Sequence, residues 1–361
     1  MRIVSSLLRR AVYPSMAAGG VFRRTRAAGL AVVTYHGILP PGYQPIDAAL
    51  DGNLITAEML RRQLRLLKKH YNIILPEEFL AWREERLALP ERAVLLTCDD
   101  GLLNCMSDML PVLLEEDLRC LFFVTGASAQ EKRGTLWYED LFLALLRVPA
   151  GGLEISFEGV LFQSELGSRE QRRSMWWRSV KQLSQFTSEK RRAFLRLVQT
   201  KSHAERAPMV EGSVESRRFE LMILPELRQL ASSGMMIGAH TESHPMLSHA
   251  SPQMVRDEVL GCKTKLESAL GEQVWVQAYP FGDPESVNSS VLQITQEAGF
   301  KAAFTNFGGG LGAELSPFAL PRVHVTAKMG LAEFEAQVSG FHARLQRRAN
   351  RNPQHLGMVR A

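Results

Sequence analysis

The sequence predicts an α/β fold, a distorted (β/α)7-type barrel that carries a mainly helical insertion. Short apolar runs rich in β-branched residues recur along the 361-residue chain, and they are continuous rather than alternating, as in buried parallel strands. Helical patterns separate these runs, and strands that alternate with helices build mostly parallel sheets. Because there are seven such runs, we expect the sheet to close into a barrel.

Helices separate most of the predicted strands. The seven strands cover residues 31–36, 93–98, 120–124, 235–239, 274–279, 301–305 and 320–325. The helices between them cover residues 56–70, 104–117, 224–233, 251–270 and 287–298. Thr56 is a suitable N-cap for the first helix. Leu60, Leu64 and Leu67 follow at the spacing of one helical face.

Residues 127–225 break this alternation within the predicted barrel of residues 31–326. They contain a polar, glycine-bearing, strand-like patch at 153–162 and a charged helical stretch at 168–201. A connection of about a hundred residues is too long for a plain crossover between parallel strands. We therefore expect a mainly helical insertion subdomain that serves as a lid or as part of the substrate-binding surface.

The two ends of the chain are basic, whereas the remainder is acidic. Residues 1–26 contain six arginines and no acid, and residues 341–361 contain five arginines and no acid. The formal net charge of the chain is +5, so residues 27–340 carry a net charge of −6. We interpret residues 1–30 as a basic N-terminal segment and residues 327–361 as a basic C-terminal helix or tail.

The N-terminal segment resembles a helix that lies at a membrane interface. Its arginines are interleaved with the apolar residues Ile3, Val4, Leu7, Leu8 and Val12. Peripheral contact with an anionic membrane is therefore expected, whereas nucleic acid is not an expected partner because the acidic body lacks a basic stripe. There is no secretory-signal pattern and no run of about 18 apolar residues, which predicts a cytoplasmic protein, free or at the inner membrane surface.

Composition excludes several other classes of protein. Hydrophobic residues make up 45% and charged residues 22% of the chain, as in soluble globular proteins, which argues against disorder, collagen and coiled coil. The four cysteines are too few and too scattered for a disulfide framework or a zinc ribbon.

The strongest chemical signal is Thr97-Cys98-Asp99-Asp100-Gly101, at the carboxyl end of a predicted strand. Two adjacent acids there are costly unless positive charge neutralises them, and active sites of barrels form at this end of the strands. A solvated turn or a helix cap uses the same residue types, so this motif alone leaves both interpretations open.

The second signal is the pair His240 and His244, which follows another predicted strand. Side chains at i and i+4 share one face of a helical turn, so both imidazoles can reach one metal ion. With Asp100 they would form a set of two histidines and one carboxylate that leaves positions open for water and substrate. Each histidine alone is more often structural.

The third signal is the turn Tyr279-Pro280-Phe281-Gly282, again directly after a predicted strand. In this order the three motifs resemble those of the NodB-homology polysaccharide deacetylases, which form carbohydrate esterase family four. The resemblance covers residues 31–125 and 226–326 and leaves out the insertion and the ends.

The resemblance implies roles for individual residues. Asp99 would be the general base, and Asp100, His240 and His244 would bind a divalent metal. Zinc is the first choice, with cobalt, nickel and iron as alternatives. The backbone N–H of Phe281 would stabilise the oxyanion.

The sequence also departs from the family pattern. Ala278 occupies the position of the family's arginine, and the Asp-x-x-Asp-Trp motif whose aspartate pairs with that arginine is missing. Because the arginine and its partner aspartate are both absent, neither charge is left without a partner. Arg322 is a candidate for restoring positive charge near Asp99.

Two histidines are candidates for the general acid. His36 ends the first predicted strand, where relatives resembling exopolysaccharide deacetylases also carry Tyr-His. His324 is the loose counterpart of the family's late Leu-x-x-His motif. A structural role is the alternative for each of them.

These observations predict metal-dependent hydrolysis of the N-acetyl group of an acetylated amino sugar, with release of acetate. The substrate would be a polysaccharide, an oligosaccharide or a lipid-linked glycan. The alternatives are a metal-dependent amidohydrolase that acts on a non-sugar amide, a degenerate non-catalytic carbohydrate-binding barrel, and a membrane-surface scaffold that uses the basic ends.

Overall fold

Seven parallel strands form the closed barrel that the sequence predicts. The computed structural model describes residues 6–24, 29–201, 209–308 and 316–349. In chain order the strands are β1 (Ala31–Tyr35), β2 (Asn72–Ile73), β3 (Ala93–Cys98), β4 (Leu121–Val124), β5 (Gly152–Phe157), β6 (Val160–Glu165), β7 (Met236–Ala239), β8 (Val276–Ala278), β9 (Ala302–Gly308) and β10 (Leu320–His324). The order around the barrel is β1-β10-β9-β8-β7-β4-β3, and pairing between β3 and β1 closes it. Strand β2 adds only a short parallel pairing to the start of β3.

Both faces of the barrel strands are apolar because each face packs against a separate core. Val32, Leu95 and Phe123 belong to the core inside the barrel, where the ring of Phe123 lies 5.4 Å from that of Phe304. Their neighbours along the strands pack outward against the helices. Because successive side chains of a strand point to opposite faces, Asp99 shares the inward parity of Leu95.

The helices surround the barrel. In chain order the α-helices are α1 (Tyr13–Ala18), α2 (Val21–Arg24), α3 (Ala48–Asp51), α4 (Ala57–His70), α5 (Pro76–Arg83), α6 (Leu110–Glu115), α7 (Trp137–Arg147), α8 (Arg169–Leu183), α9 (Ser188–Lys201), α10 (Val214–Phe219), α11 (Leu224–Ser232), α12 (Pro252–Leu270), α13 (Ser289–Glu297), α14 (Leu331–Val338) and α15 (Phe341–Ala349). The shorter turns are π-helical at Leu8–Val12 and Cys105–Met109 and 3₁₀ at Gly126–Ser128 and Leu247–His249.

Local sequence explains where these helices begin. The Thr56 hydroxyl accepts a hydrogen bond from the Met59 backbone N–H at 3.2 Å, so Thr56 caps α4 as predicted. The stretch predicted as one helix at 104–117 is instead a π-helical turn followed by α6. Pro111 lies in the first turn of α6, and since proline has no N–H it is tolerated there and not in a helix interior.

Between β4 and β7 the chain forms a group of elements with its own hydrophobic core. The predicted strand-like patch is the antiparallel hairpin β5–β6, and the predicted helical stretch at 168–201 is the pair α8 and α9. Phe142, Phe162 and Phe194 are fully or almost fully buried in this second core. The limits 127 and 225 and a role as lid remain predictions.

The N-terminal elements pack against the last two helices. Arg9 and Arg23 form ion pairs with Glu333 and Glu335 of α14, at 2.8 Å and 2.9 Å. The hydroxyl of Tyr13 hydrogen-bonds to the ring of His342 on α15. The two basic ends therefore lie side by side, although about 330 residues of chain separate them.

Membrane contact through these ends remains a prediction. Residues 1–5 and 350–361, including Ile3 and Val4, lie outside the described residues. In the part of the chain that the structure describes, no helix is long and apolar enough to cross a bilayer.

Candidate active site

The three predicted metal ligands meet at the carboxyl ends of β3 and β7. The Oδ1 atom of Asp100 lies 3.4 Å from Nε2 of His240 and 3.2 Å from Nε2 of His244. One ligand atom from each residue lies within 4.8 Å of the other two, and all three residues are buried. Asp100 thus lies next to two histidines that follow it by 140 and 144 residues in the sequence.

The hydrogen bond of His240 suits a metal ligand. Its Nδ1 atom lies 2.8 Å from the carbonyl oxygen of Ala278, an acceptor that fixes the proton on Nδ1. The lone pair of Nε2 then faces Asp100, and a carbonyl partner of this kind is usual for metal-bound histidines. The Nδ1 atom of His244 has no hydrogen-bond partner among the described residues.

Two nitrogens and one carboxylate oxygen fit a divalent transition metal. Such a set binds zinc and similar ions and leaves positions open for water and substrate. Asp100 would bind such an ion as its carboxylate, because a metal ligand must be deprotonated.

The motifs reach this arrangement through strained backbone. The φ angles of Asp100, Thr241, His244 and Phe281 are +75°, +63°, +57° and +62°. They are four of the eight non-glycine residues with positive φ in the described parts of the chain, and all four lie in the predicted site. Left-handed conformations at such residues cost about 1–3 kcal/mol each and persist where the surrounding structure enforces them.

A buried ion pair holds Asp99. The Nη1 and Nη2 atoms of Arg322 donate to Oδ1 and Oδ2 of Asp99 at 2.7 Å and 2.5 Å. Arg322 also donates to the hydroxyl of Thr97 and the carbonyl of Thr305, so the guanidinium is fully engaged inside the barrel. Burial alone would raise the pKa of Asp99, but the charge of Arg322 overcomes it and the pKa lies below its usual value.

The two general-acid candidates lie next to each other. The rings of His36 and His324 have their centroids 4.8 Å apart. Nε2 of His36 lies 4.0 Å from Oδ2 of Asp99 and 3.4 Å from the Asn306 amide. Burial lowers the pKa of both histidines, that of His324 to about 3.

Gly37 allows the turn that places His36. Its φ is +114°, and a Cβ atom there would come within 2.1 Å of Oδ1 of Asn104. That oxygen accepts a hydrogen bond from the Ile38 N–H at 2.9 Å. Only glycine combines this conformation with such close contact.

Phe281 presents a backbone N–H that forms no hydrogen bond with any described residue. Its ring packs on His244 at a centroid distance of 4.9 Å, so the turn after β8 lies directly beside the candidate metal site. A free N–H at such a position can donate to an oxyanion.

The polysaccharide deacetylase family model matches residues 86–303, more than half of the chain. The chain belongs to the polysaccharide deacetylase family. This family hydrolyses acetyl groups from carbohydrates. The match includes both aspartates, both histidines and Phe281, whereas His36, Arg322 and His324 lie outside it.

Individual relatives agree with this family. The chain is 25% identical over 116 residues to YxkH of Bacillus subtilis, whose name places it among polysaccharide deacetylases. The match spans 32% of this chain and 40% of YxkH, so it covers less than half of the relative's length.

Solved structures show the same fold at low sequence identity. The Streptococcus pyogenes deacetylase PplD in complex with acetate has a TM-score of 0.53 and 17% identity, over 87% of this chain and 99% of that chain. IcaB from Ammonifex degensii has a TM-score of 0.52 and 17% identity, over 87% and 98%. A polysaccharide deacetylase from Bacillus cereus has a TM-score of 0.51 and 16% identity, over 86% and 68%.

The insertion contributes side chains to the candidate site that the sequence motifs do not predict. The ring of Tyr138 lies 4.8 Å from that of His244 and 5.3 Å from that of Phe281. Trp137 donates from Nε1 to the His244 carbonyl at 3.0 Å. The only signal was the aromatic pair at the start of the insertion, and nothing in the sequence tied it to His244.

The two tryptophans of α8 lie in different surroundings. Trp176 is buried against Phe142 and Tyr138 in the second core. Trp177 is only partly buried, and its ring lies 5.5 Å from that of Phe281. Trp177 is therefore the one that lies beside the candidate active site.

Proposed function

We propose that this protein is a metal-dependent N-deacetylase of acetylated amino sugars, which releases acetate and leaves a free amine. The observation that carries this proposal is the convergence of Asp100, His240 and His244 beside Asp99. The family supports hydrolysis of acetylated carbohydrate, and the donor set supports a divalent metal, with zinc as our first choice.

The metal would be held by Asp100, His240 and His244. When bound, such an ion polarises an acyl oxygen and makes a water molecule more acidic. Asp99 accepts a proton from the attacking water on a carboxylate oxygen, and Arg322 keeps that carboxylate ionised and oriented. The Phe281 N–H donates to the developing oxyanion, and one such donor is worth about 3 kcal/mol.

We assign the general acid to His36 and a supporting position to His324. Burial lowers the pKa of both histidines, so the assignment rests on their positions relative to Asp99. His36 faces Asp99 with Nε2, where a proton can be held for the leaving amine. Asn306 contacts the same nitrogen and helps to orient the ring.

The test is acetate release by the full chain after chelation and reloading with zinc, cobalt, nickel or iron. We expect acetate from N-acetylated chitooligosaccharides only with metal, and none from small N-acetyl amides. Acetate from the small amides alone would indicate the non-sugar amidohydrolase instead. Stoichiometric metal without any acetate would indicate the non-catalytic barrel, and full activity after chelation would refute metal dependence.

A further inference from the structure

A cavity of about 380 Å³ lies beside the candidate active site. It is enclosed by the loop after β4, the first turn of α7, the first turns of α9 and the loop after β7. We refer to it as the α9 cavity; its lining includes Thr125, Lys132, Trp137, Arg191, Arg192 and His244. Trp137 and His244 contribute to both sites, so the cavity adjoins the candidate metal ligands.

Among the described residues that line the α9 cavity, cationic side chains outnumber acidic ones. Of the four cationic residues in this described lining, Arg133 is paired with Glu226 and Arg191 with Glu258. The other two, Lys132 and Arg192, are exposed and form no ion pair within the described residues. Asp140, the one acid in the described lining, accepts a hydrogen bond from the Thr135 hydroxyl.

Three buried polar atoms of the lining have no hydrogen-bond partner within the described chain. They are Oγ1 of Thr125, Nε of Arg191 and Nδ1 of His244, in residues that are 0%, 2% and 3% exposed. A buried polar group without a partner costs about 1–3 kcal/mol, so such groups in native proteins usually have a ligand or water as partner. The Arg191 Nε–H can only donate, and the free cations also only donate.

We propose that the α9 cavity binds an anionic oxygen group, a carboxylate or a phosphate, on the sugar that carries the acetyl group or on its neighbour. This inference rests on the proposed function and adds to it a preference for acidic or phosphorylated acetylated sugars over neutral ones. Lys132 and Arg192 attract the charge, and the Arg191 Nε–H and Thr125 hydroxyl complete its hydrogen bonds.

The experiment is isothermal titration calorimetry on the full chain. The ligands are N-acetylglucosamine, N-acetylglucosamine 1-phosphate and N-acetylmuramic acid, which offer no charge, a phosphate and a carboxylate. We expect at least one anionic sugar to bind about tenfold more tightly than the neutral one. The anionic sugar that binds more tightly shows whether the cavity prefers a phosphate or a carboxylate.

Substitutions in the lining test whether Lys132 and Arg192 cause the preference for an anionic sugar. Arg192→Gln and Lys132→Gln should each weaken binding of the anionic sugar about threefold, and together they should remove its advantage over the neutral sugar. Arg196→Gln is the matched control, because Arg196 is exposed one turn further along α9 and lies outside the cavity lining. Its binding should equal that of the unsubstituted chain.

Two results would overturn the proposal: equal affinity for neutral and anionic sugars, or an anionic preference that persists in the double variant. Both are distinguishable from failure of the proposed function. If no acetylated sugar releases acetate but the anionic preference depends on Arg192 and Lys132, the cavity is an anion site on a non-catalytic barrel.

Discussion

The carboxylate of Asp99 accepts hydrogen bonds from both terminal nitrogens of the Arg322 guanidinium. Asp99 directly follows β3, whereas Arg322 lies on β10, and β1 pairs with both of these strands. This arginine occupies the interior of the barrel beneath the candidate active site. It places a positive charge beside Asp99, which the family resemblance implies for the arginine that Ala278 replaces. In this chain the charge comes from a different strand.

Replacing Arg322 should affect activity and stability together. In Arg322→Gln, Asp99 stays buried without its cation, so we expect the pKa of Asp99 to rise and the acidic limb of the pH–rate profile to move to higher pH. Breaking a buried pair in this way costs about 3–5 kcal/mol of the free energy of unfolding. Acetate release against pH and urea denaturation measure the two effects.

Arg218→Lys is the control for the Arg322 variant. Arg218 is also fully buried and pairs with Asp51 and Glu139, but it does not touch Asp99. It should lower stability without moving the pH–rate profile. Adding Ala278→Arg to Arg322→Gln should restore part of the activity, and an unchanged profile in Arg322→Gln would contradict the role of Arg322.

Removing a metal ligand should abolish metal binding without unfolding the chain. We expect His240→Ala and Asp100→Asn to contain less than about a tenth of the metal held by the unsubstituted protein, because three ligands are needed for a tight site. Elemental analysis measures this content, and circular dichroism checks the fold. His249→Ala, an exposed histidine outside the site, should keep its full metal content. Full occupancy in His240→Ala would show that the ion binds elsewhere.

The buried neutral state of His324 should make the protein sensitive to acid. Its pKa falls from 6.5 in the unfolded chain to about 3 in the folded one, so only the unfolded chain takes up a proton between these values. The free energy of unfolding should therefore decrease as the pH falls below about 6.5. From about pH 7.5 to about pH 5.5 this residue alone accounts for about 1 kcal/mol.

The variant His324→Gln tests this assignment. Between about pH 7.5 and about pH 5.5, the free energy of unfolding of this variant should fall by about 1 kcal/mol less than that of the unsubstituted protein. Urea denaturation at the two pH values measures this difference. An identical pH dependence would mean that His324 is protonated in the folded state. It would also return His324 to the position of general-acid candidate.

The basic ends should bind anionic lipid surfaces. Arg10 and Arg24 are exposed, and Leu7, three residues before Arg10, is 67% exposed. We expect sedimentation with vesicles containing phosphatidylglycerol, and none with neutral vesicles. Binding should weaken with salt, since each basic residue near such a surface contributes about 1 kcal/mol.

Arg10→Glu and Arg24→Glu, each made singly, should reduce this sedimentation by about tenfold or more. Arg147→Glu, an exposed arginine on α7, is the control of equal charge and should have little effect. Equal sedimentation of all variants would exclude the basic ends as the membrane contact. Binding to DNA but not to vesicles would point to a nucleic-acid partner.

The sequence by itself determined the barrel and the polar residues at its rim. Seven continuous apolar runs predicted strands that the structure contains at nearly the same residues. The reason is local: a parallel strand buried on both faces needs consecutive apolar residues, and its end needs turn-forming polar residues. The same logic placed Asp99, Asp100 and the two histidines after strands, where barrel closure brings them together.

Only the tertiary structure decided which partners these residues have. That Arg322 pairs with Asp99, that Tyr138 and Trp177 pack beside the site, and that a cationic cavity opens next to His244 depend on contacts between distant segments. Strand parity indicates whether a side chain points inward but not which neighbour it meets across the barrel. These contacts follow from the closure of the sheet and from the packing of the insertion against the barrel. The sequence carries no periodic signal for either.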